Sequence, residues 1–276
     1  MKKLLQGIRL LTENLRHLKK KDEVQLLALG RLLSNQQSFV KSTNLSDFEF
    51  KIFSQWGDDG IIQFLIKNLD IQNRTFIEFG VEDYSESNTR FLLKNDNWSG
   101  FVIDGSKENI EKIRNQSWFW KYELTTKNAF IDKDNINSLL QESGFSNVGI
   151  LSVDIDGNDY HIINTIDFNA INPSILIAEY NSIFGNVRPI TVPYRKYFLR
   201  TKAHFTNLFF GASLPALVYL AEEKGYSLVG CTLSGNNAYF VRNDLLTSKI
   251  QKIDMNEAFK KLNFEKVEMK IANCPI

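Results

Sequence analysis

The chain has 276 residues, of which 43% are hydrophobic and 24% are charged, and its formal net charge is +1. This length suits one α/β domain with an extension, and the near-neutral charge argues against a nucleic-acid partner. Two cysteines, Cys231 and Cys274, exclude a disulfide framework, and no apolar run approaches the roughly 20 residues that span a bilayer. We therefore expect a cytoplasmic protein with reduced thiols and, at its charged N-terminus, no signal peptide.

The first 21 residues carry seven basic side chains and one acidic side chain. Their apolar residues alternate between spacings of four and three, which places them on one stripe of a helix. The stripe consists of Leu4, Ile8, Leu11, Leu15 and Leu18. It predicts contact with a second copy of the chain; the alternatives are packing on its own domain and contact with the inner face of an anionic membrane. A second helix is expected over residues 23–34.

Further along the chain, β-rich segments alternate with helical segments, which predicts a parallel sheet covered by helices on both faces. Strands are predicted at 75–79, 100–104, 124–129, 148–154 and 174–179, and helices at 87–95, 107–115, 134–142, 159–166 and 212–224. Two more β-rich runs, at 226–233 and 237–242, are joined by Ser-Gly-Asn, which favours a hairpin. The hairpin makes the last strand antiparallel, as in the Rossmann-like methyltransferase fold with its mostly parallel, seven-stranded α/β sheet.

The segment from residue 76 to residue 106 has the pattern strand, tight loop, helix and strand. Its first strand ends with Glu78 and Gly80, and its second strand ends with Asp104, 26 residues after Glu78. Doubly wound sheets bind their ligands at such carboxyl ends. The spacing suits Asp104 to accept hydrogen bonds from ribose hydroxyls, and Ser106 belongs to the same predicted cofactor site.

The loop after Gly80 lacks the glycines with which a backbone binds pyrophosphate, since the chain contains neither G-x-G-x-x-G nor G-x-x-x-x-G-K-[ST]. A ribosyl ligand without phosphates fits better, and S-adenosylmethionine is the common one. Its sulfonium and amino groups are cationic, so Glu78 and Asp83 around a glycine suit it electrostatically. An enzyme of the same fold that binds a nucleotide sugar is a further alternative, which the missing glycines disfavour.

More residues of the predicted cofactor site lie at a helix start and a strand end. Ser87 and Asn88 open the helix after the glycine loop, where they can cap the helix and also meet the cofactor carboxylate. Asn128 and Ala129 close the third strand, where a polar side chain and a backbone amide could contact an adenine edge.

A second motif, GILSVDIDGNDYHII, places Asp154 and Asp156 at the end of the fourth strand. Alternate strand residues face the same side, so both can point at one ligand, and Asp159 is predicted to cap the next helix. The fifth strand ends with Glu179, with Asn181 just beyond it. Asp154, Glu179 and Asn181 form a candidate site for Mg²⁺ or another divalent cation. The alternatives are cofactor binding, general base catalysis and turn capping.

His161 lies in the first turn of the following helix, where it is either a general base or an ordinary helix residue. The segment from about 182 to 211 is a predicted lid, because long loops in compact domains are usually functional. Its interleaved cationic and aromatic side chains suit a sugar or phosphate acceptor; a solvated basic loop is the alternative. The predicted substrate contacts are Tyr160, Asn181, Arg188, Tyr194 and His204.

Four segments in order, FIEFGVEDYSESNTRFLL, GFVIDGS, LSVDIDGNDYHI and IAEYNSIFG, resemble S-adenosylmethionine-dependent methyltransferases of the FkbM-like group. SQWGDDGII also looks like the segment before their first sheet strand, so the resemblance covers about residues 50–245. The cofactor contacts that it implies are Gln55, Glu78, Gly80, Asp104 and Asn128, with Asp154 near the sulfonium. There is also a similarity to metal-dependent sugar and catechol O-methyltransferases, although Glu179, Tyr180 and Asn181 replace their adjacent acid and amide.

The predicted organisation is a helical extension at 1–45, a methyltransferase domain at 46–250 and a C-terminal extension at 251–276. The leading hypothesis is an O-methyltransferase that uses S-adenosylmethionine to methylate a sugar hydroxyl of a glycan, a nucleotide sugar or a lipid-linked precursor. Asp154, Asp156 and Glu179 would orient or deprotonate the hydroxyl, directly or through a divalent ion. The alternative is a non-catalytic assembly protein of a glycan or cell-envelope complex that keeps the fold and docks through its basic helix.

Overall fold

The computed structural model describes residues 22–261. The apolar stripe predicted for residues 4–18 lies outside them. The described chain begins within a helix, α1, over residues 22–36, which agrees with the helix predicted at 23–34. No helix within the described residues combines the length and apolar character needed to cross a bilayer.

Seven strands form one sheet. They are β1 (Thr75–Phe79), β2 (Ser99–Asp104), β3 (Leu124–Asn128), β4 (Ile150–Val153), β5 (Ile175–Glu179), β6 (Tyr226–Cys231) and β7 (Asn237–Arg242). Their order across the sheet is β3-β2-β1-β4-β5-β7-β6. The first five strands pair in parallel, whereas β7 lies antiparallel between β5 and β6. This order and these directions confirm the predicted Rossmann-like methyltransferase fold.

Helices connect the strands and cover the sheet. After α1 they are α2 (Asp58–Asn68), α3 (Arg90–Asp96), α4 (Lys107–Arg114), α5 (Ile136–Glu142), α6 (Asp159–Thr165), α7 (Phe168–Ile171), α8 (Arg200–Ala203), α9 (Leu214–Glu223) and α10 (Met255–Ala258). The helices predicted between 87 and 224 are therefore present, most of them shorter by one to three residues. Two short helices, α7 and α8, add to the predicted pattern.

The core has one layer on each face of the sheet. Strands buried on both faces are mostly apolar, as in β4 with the sequence ILSV, because side chains alternate between two covered faces. Ile77 and Leu151 face a cluster completed by α5, α6 and α9. Phe76 and Ile150, one residue earlier in each strand, face the opposite cluster with α2, α3 and α4. The rigid sheet therefore fixes where each strand ends, and the strand ends carry the polar residues.

The predicted lid, residues 182–211, packs closely on the domain. Its own apolar cluster contains Val192, Phe198 and Phe210. Thr191 forms a bridge with Ala212, and Asn181 donates from Nδ2 to the carbonyl oxygens of Leu208 and Phe210 at 2.9 and 3.0 Å. These contacts hold the lid across the carboxyl ends of the strands.

Candidate functional site

A cavity of about 850 Å³ opens at the carboxyl ends of the parallel strands and is closed on one side by the lid. Strand ends and loops provide most of its lining, namely Gln55, Gly80, Glu82, Glu86, Ile103, Asp104, Gly105, Ser106, Ala129, Phe130, Ile131, Asp154, Ile155, Asp156, Asn158 and Glu179. The lid contributes Phe198, Leu199, Arg200, Thr201 and Asn207. This is the edge at which doubly wound sheets bind ligands.

Gly80 brings the loop after β1 against the end of β4. Its φ of 70° lies in the left-handed region, and a Cβ atom built on it would lie 1.6 Å from the carbonyl oxygen of Asp154. No side chain fits into that distance, so only glycine allows this contact. Asp154 itself lies just beyond Val153, the last residue of β4. The prediction of a strand to residue 154 was therefore one residue too long, because the backbone turns there to meet Gly80.

The carboxylate of Glu78 is hydrogen-bonded to the loop that follows β1. Its carboxylate accepts hydrogen bonds from the hydroxyl groups of Ser87 and Thr89, both at 2.5 Å, and from the backbone N–H groups of Asn88 and Thr89 at 2.9 and 3.2 Å. Burial raises the pKa of Glu78, and these bonds oppose the rise because they favour the ionised form. Glu78 thus fixes the start of α3. This role follows from its hydrogen-bond partners, and its position at a strand end in the sequence did not predict it.

Asp104 is held between two loops at the edge of the cavity. Its Oδ2 accepts from the backbone N–H of Glu82 at 2.8 Å, and its Oδ1 accepts from the backbone N–H of Ser106 at 2.7 Å. Asn109 adds a longer bond of 3.3 Å to Oδ1. A carboxylate fixed in this way at the end of β2 can accept further hydrogen bonds from a ligand's hydroxyl groups.

The structure brings three acids together where β4 and β5 end. One carboxylate oxygen from each of Asp154, Asp156 and Glu179 lies within 4.8 Å of the other two. Glu179 is 9% exposed, and its Oε2 atom has no hydrogen-bond partner among residues 22–261. Burial, followed by the charges of neighbouring acids, raises the pKa values of Asp154 and Glu179 well above the usual range. Burial and repulsion therefore favour the protonated form of both acids.

Asp156 belongs to this cluster, but not because alternate residues of a strand face the same side, as the sequence predicted. It lies past the end of β4 with a left-handed φ of 57°, and its carboxylate pairs with Arg200 of the lid at 2.7 Å. Asp159 shapes the same loop, since its Oδ1 and Oδ2 accept from the backbone N–H groups of Ile155 and Gly157, both at 2.8 Å. Burial raises the pKa of Asp159 to about 6.

The predicted capping role of Asp159 was wrong. The residue before α6 is Asn158, and Asp159 is the first residue inside the helix. Its carboxylate turns back to the loop because two otherwise unpaired N–H groups lie there. Asp159 therefore positions the loop that carries Asp156 and does not cap the helix.

The cavity includes many of the predicted cofactor and catalytic residues. Those that line it are Gln55, Gly80, Asp104, Ser106, Ala129, Asp154, Asp156 and Glu179. Glu78 and Asn88 line a small adjoining chamber. Neither lining includes Asp83, Ser87 or Asn128. Asp83 accepts from the backbone N–H of Ser85, and Asn128 donates from Nδ2 to the carbonyl oxygen of Asp104 at 3.0 Å.

His161 and the residues predicted as substrate contacts lie outside the cavity lining. His161 has its Nε2 atom 2.8 Å from the carbonyl oxygen of Val192, which requires a proton on Nε2, and burial lowers the pKa of the ring. Asn181 uses Nδ2 on the lid and accepts from the backbone N–H of Ile183 with Oδ1. This arrangement leaves Asp156 as the third member of the acid cluster, where the metal prediction had Asn181.

The remaining predicted contacts also serve local structure. The hydroxyl of Tyr194 accepts from the backbone N–H of Lys133, and Tyr160 packs its ring against His161. Arg188 and His204 are exposed. Sequence reasoning missed Glu82, Glu86, Phe130 and Phe198 as lining residues; the signal that could have found the last of them is the aromatic composition of the lid.

Comparison with known proteins gives no match by sequence: no family model matches the chain, and no curated protein matches it. Solved structures with similar backbones include the Methanococcus jannaschii fibrillarin pre-rRNA processing protein, with a TM-score of 0.41, 9% identity and coverage of 64% of this chain and 72% of that chain. A putative O-methyltransferase from Klebsiella pneumoniae gives a TM-score of 0.40, 10% identity and coverage of 63% and 74%. The N-terminal domain of EvdMO1 with SAH bound gives a TM-score of 0.37 and 10% identity, with coverage of 60% of this chain and 72% of that chain.

These likenesses are distant. What identifies the fold of this chain is the order and direction of its strands, with β7 antiparallel between β5 and β6. The chemistry of the site has to be inferred from the cavity itself.

Proposed function

We propose that this chain is an S-adenosylmethionine-dependent O-methyltransferase that acts on a sugar hydroxyl. The observation that carries the proposal is the charge of the cavity, whose lining contains six acids. They are Glu82, Glu86, Asp104, Asp154, Asp156 and Glu179. Within the lining as described, Arg200 is the single basic residue. A cavity of this charge favours a cationic ligand.

The residues present fit this cofactor. The Gly80 contact gives a backbone surface without a side chain at the end of β1, and Asp104 presents a fixed carboxylate at the end of β2. Glu179 adds a buried oxygen without a partner in the described part of the chain. Such an atom costs free energy while it lacks a partner, and a cationic or hydrogen-bonding ligand would offset that cost.

The acid cluster supplies the base of the proposed reaction. When bound, the cofactor supplies a methyl group on a cationic sulfur. Burial and mutual repulsion raise the pKa values of Asp154 and Glu179, so an ionised carboxylate of this pair is a stronger base than an ordinary exposed acid. The acceptor hydroxyl would transfer its proton to an ionised carboxylate of this pair as its oxygen forms the new bond to the methyl carbon. The bond between that carbon and the cofactor's sulfur would break, and S-adenosylhomocysteine would leave as a neutral thioether.

A divalent ion is a second way to use the same cluster. Asp154, Asp156 and Glu179 offer oxygen ligands of the kind that Mg²⁺ prefers. An ion there would compensate the repulsion of the acids and lower the pKa of a bound hydroxyl. Removal of metal with EDTA should then abolish turnover, and Mg²⁺ or Mn²⁺ should restore it. Turnover that is indifferent to EDTA would favour direct base catalysis.

The lid supports a sugar as the acceptor. Phe198 lines the cavity, and Phe130 and Tyr197 lie with ring centroids 5.9 Å apart at its margin. Tyr197 is 75% exposed. Exposed rings beside a cavity suit the apolar faces of a sugar, while Arg200 and the acids suit its hydroxyl groups.

Titration calorimetry with S-adenosylmethionine tests the proposal. We expect saturable binding, and Asp104→Ala should weaken it by about tenfold, because a carboxylate that accepts ribose hydroxyls would be lost. The absence of binding at millimolar cofactor would contradict the proposal and favour the non-catalytic assembly protein. Unchanged affinity in Asp104→Ala would show that the ribose acid is misassigned.

A further inference from the structure

A small polar chamber adjoins the cavity behind Gly80. Its volume is about 40 Å³, and Gln55, Gly80, Glu86 and Asp154 line both spaces. Its other lining residues are Glu78, Phe79, Asn88, Asn236 and Asn237. A space of this size holds one or two groups as large as a water molecule. Because it opens from the cavity, it can take one end of a ligand bound there.

Asn237, the first residue of β7, lines the chamber and has an unused acceptor. It is 3% exposed, and its Nδ2 donates to Oδ1 of Asp58 at 2.8 Å. Its Oδ1 is buried and has no hydrogen-bond partner within residues 22–261. A buried amide oxygen without a partner is costly, so a donor at this position would be stabilising.

Two neighbours fix the orientation of the Asn237 amide. Oδ1 of the fully buried Asp58 also accepts from the hydroxyl of Tyr239 at 2.5 Å, which makes it an acceptor for both residues. Asn237 must therefore turn its NH₂ group towards Asp58 and its oxygen away from it. Two other acceptors that line the chamber are already used. Glu78 takes four donors, and the Oδ1 atom of Asn236 accepts from the hydroxyl groups of Thr232 and Ser234.

We infer that the chamber binds a primary ammonium group, with Oδ1 of Asn237 as an acceptor and Asp58 and Tyr239 as its positioning residues. The inference rests on the proposed function, in which the ammonium belongs to the amino-acid end of the cofactor. Among the described residues, the lining of the chamber contains the acids Glu78, Glu86 and Asp154 and no basic residue, which favours a cation over a carboxylate. A bound cation would in turn favour the ionised form of Asp154. An ammonium carries three donors and matches the size of the space.

A thermodynamic cycle between ligand and residue tests the inference. Calorimetry compares S-adenosylhomocysteine with its deamino analogue, first on the wild-type chain and then on Asn237→Ala. The wild-type chain should bind the amine about tenfold more tightly, and Asn237→Ala should reduce this ratio towards one while leaving the affinity for the deamino analogue unchanged. A ratio that Asn237→Ala preserves would overturn the inference.

Matched variants separate positioning from folding. Asp58→Asn keeps an acceptor for Asn237 and should keep the ratio, whereas Asp58→Leu frees the amide to rotate and should lose it. Asn243→Ala, at the opposite end of β7 where the side chain accepts from Ser227, is the control for the strand and should not change the ratio. Equal loss in Asp58→Asn and Asp58→Leu would overturn the positioning role.

The two proposals fail in different ways. If neither ligand binds the wild-type chain, the proposed function fails and the inference fails with it. If both bind the wild-type chain equally, the cofactor site stands and the ammonium chamber alone is overturned. This comparison uses only the wild-type chain, so it decides the matter even if a variant does not fold.

Discussion

Two buried glutamates near the carboxyl ends of parallel strands have opposite environments. Glu78 in β1 is 4% exposed and accepts four hydrogen bonds from the loop it supports. Glu179 in β5 is 9% exposed, faces other carboxylates and keeps Oε2 without a partner in the described part of the chain. The same residue type on the same sheet thus serves stability at one strand and remains available to a ligand at the other.

The difference shows why acids at strand ends cannot be treated as one class. A carboxylate that meets several N–H and O–H donors has its charge compensated by the fold. A buried carboxylate that faces mainly other acids lowers the free energy of unfolding. Such unfavourable charges are concentrated at functional sites. The comparison therefore assigns Glu78 to the scaffold and Glu179 to the proposed chemistry, and each assignment can be tested.

The largest effect is expected from Glu179→Gln. An amide of nearly the same shape cannot act as a base, so activity should fall by about 100-fold or more. Stability should stay unchanged or rise, because the substitution removes a buried charge beside Asp154. Methyl-transfer assays and urea unfolding measure the two effects, with Glu142→Gln on the surface of α5 as control. Retained activity would remove Glu179 from the mechanism.

Glu78→Gln should give the reverse result. Its NH₂ group would face N–H and O–H donors, and the lost charge-assisted bonds predict a loss of about 3 kcal/mol in the free energy of unfolding. Urea unfolding followed by circular dichroism measures this loss. If Glu78→Gln is as stable as Glu179→Gln, the comparison between the two residues fails.

The pH dependence of stability tests the raised pKa values. An acid whose pKa is higher in the folded chain keeps its proton better when folded, so stability falls as the pH rises from the unfolded pKa to the folded one. For Asp159 this window runs from about 4 to about 6, and for Glu179 it extends well above the usual range. Each group contributes at most about 1.4 kcal/mol per pH unit.

Wild type and Glu179→Gln should therefore diverge as the pH rises. Urea unfolding at pH 5, 6, 7 and 8 should show a steeper decline in the free energy of unfolding for wild type. Mg²⁺ should reduce the decline if the cluster binds a divalent ion. Parallel curves for the two proteins would show that Glu179 is not protonated in the folded chain.

The smallest effect is expected from Arg200→Ala. The pair with Asp156 is partly exposed, with side chains 30% and 60% accessible, so its loss should change stability by less than about 1 kcal/mol. The positive charge of Arg200 opposes the rise in the pKa of Glu179, and its removal should shift the activity profile to higher pH. The pKa of Glu78 should not respond in this way, since its main determinants are burial and hydrogen bonds from the loop that follows β1. An unshifted profile would contradict this coupling.

The strands and their polar ends could be predicted from the sequence because both depend on local patterns. Runs such as ILSV and ILIAE are buried on both faces, and the acids follow where each run ends. Gly80 marked the close approach of two loops, although its partner, the carbonyl of Asp154, could not be known. The antiparallel direction of the last strand was predictable from the hairpin, because the turn residues Ser-Gly-Asn mark it in the sequence.

The partners of the polar side chains could not be predicted, because they depend on contacts between distant segments. Asn181 and His161 looked available at strand and helix ends, yet both bind backbone groups of the lid. Asn237 joins Asp58 across 179 positions of sequence. No local pattern contains such information, and the lid residues that line the cavity were missed for the same reason.

The position of β7 has a consequence for how the protein is made. β5 carries Glu179, and its outer edge pairs with β7, the last of the seven described strands in chain order and so the last of them to leave the ribosome. Until residues 237–242 emerge, the nascent chain exposes an apolar edge strand, a state that favours aggregation. Chains that stop before residue 237 should therefore accumulate in insoluble form, and the cavity cannot be completed before residues 237–242 have been synthesised.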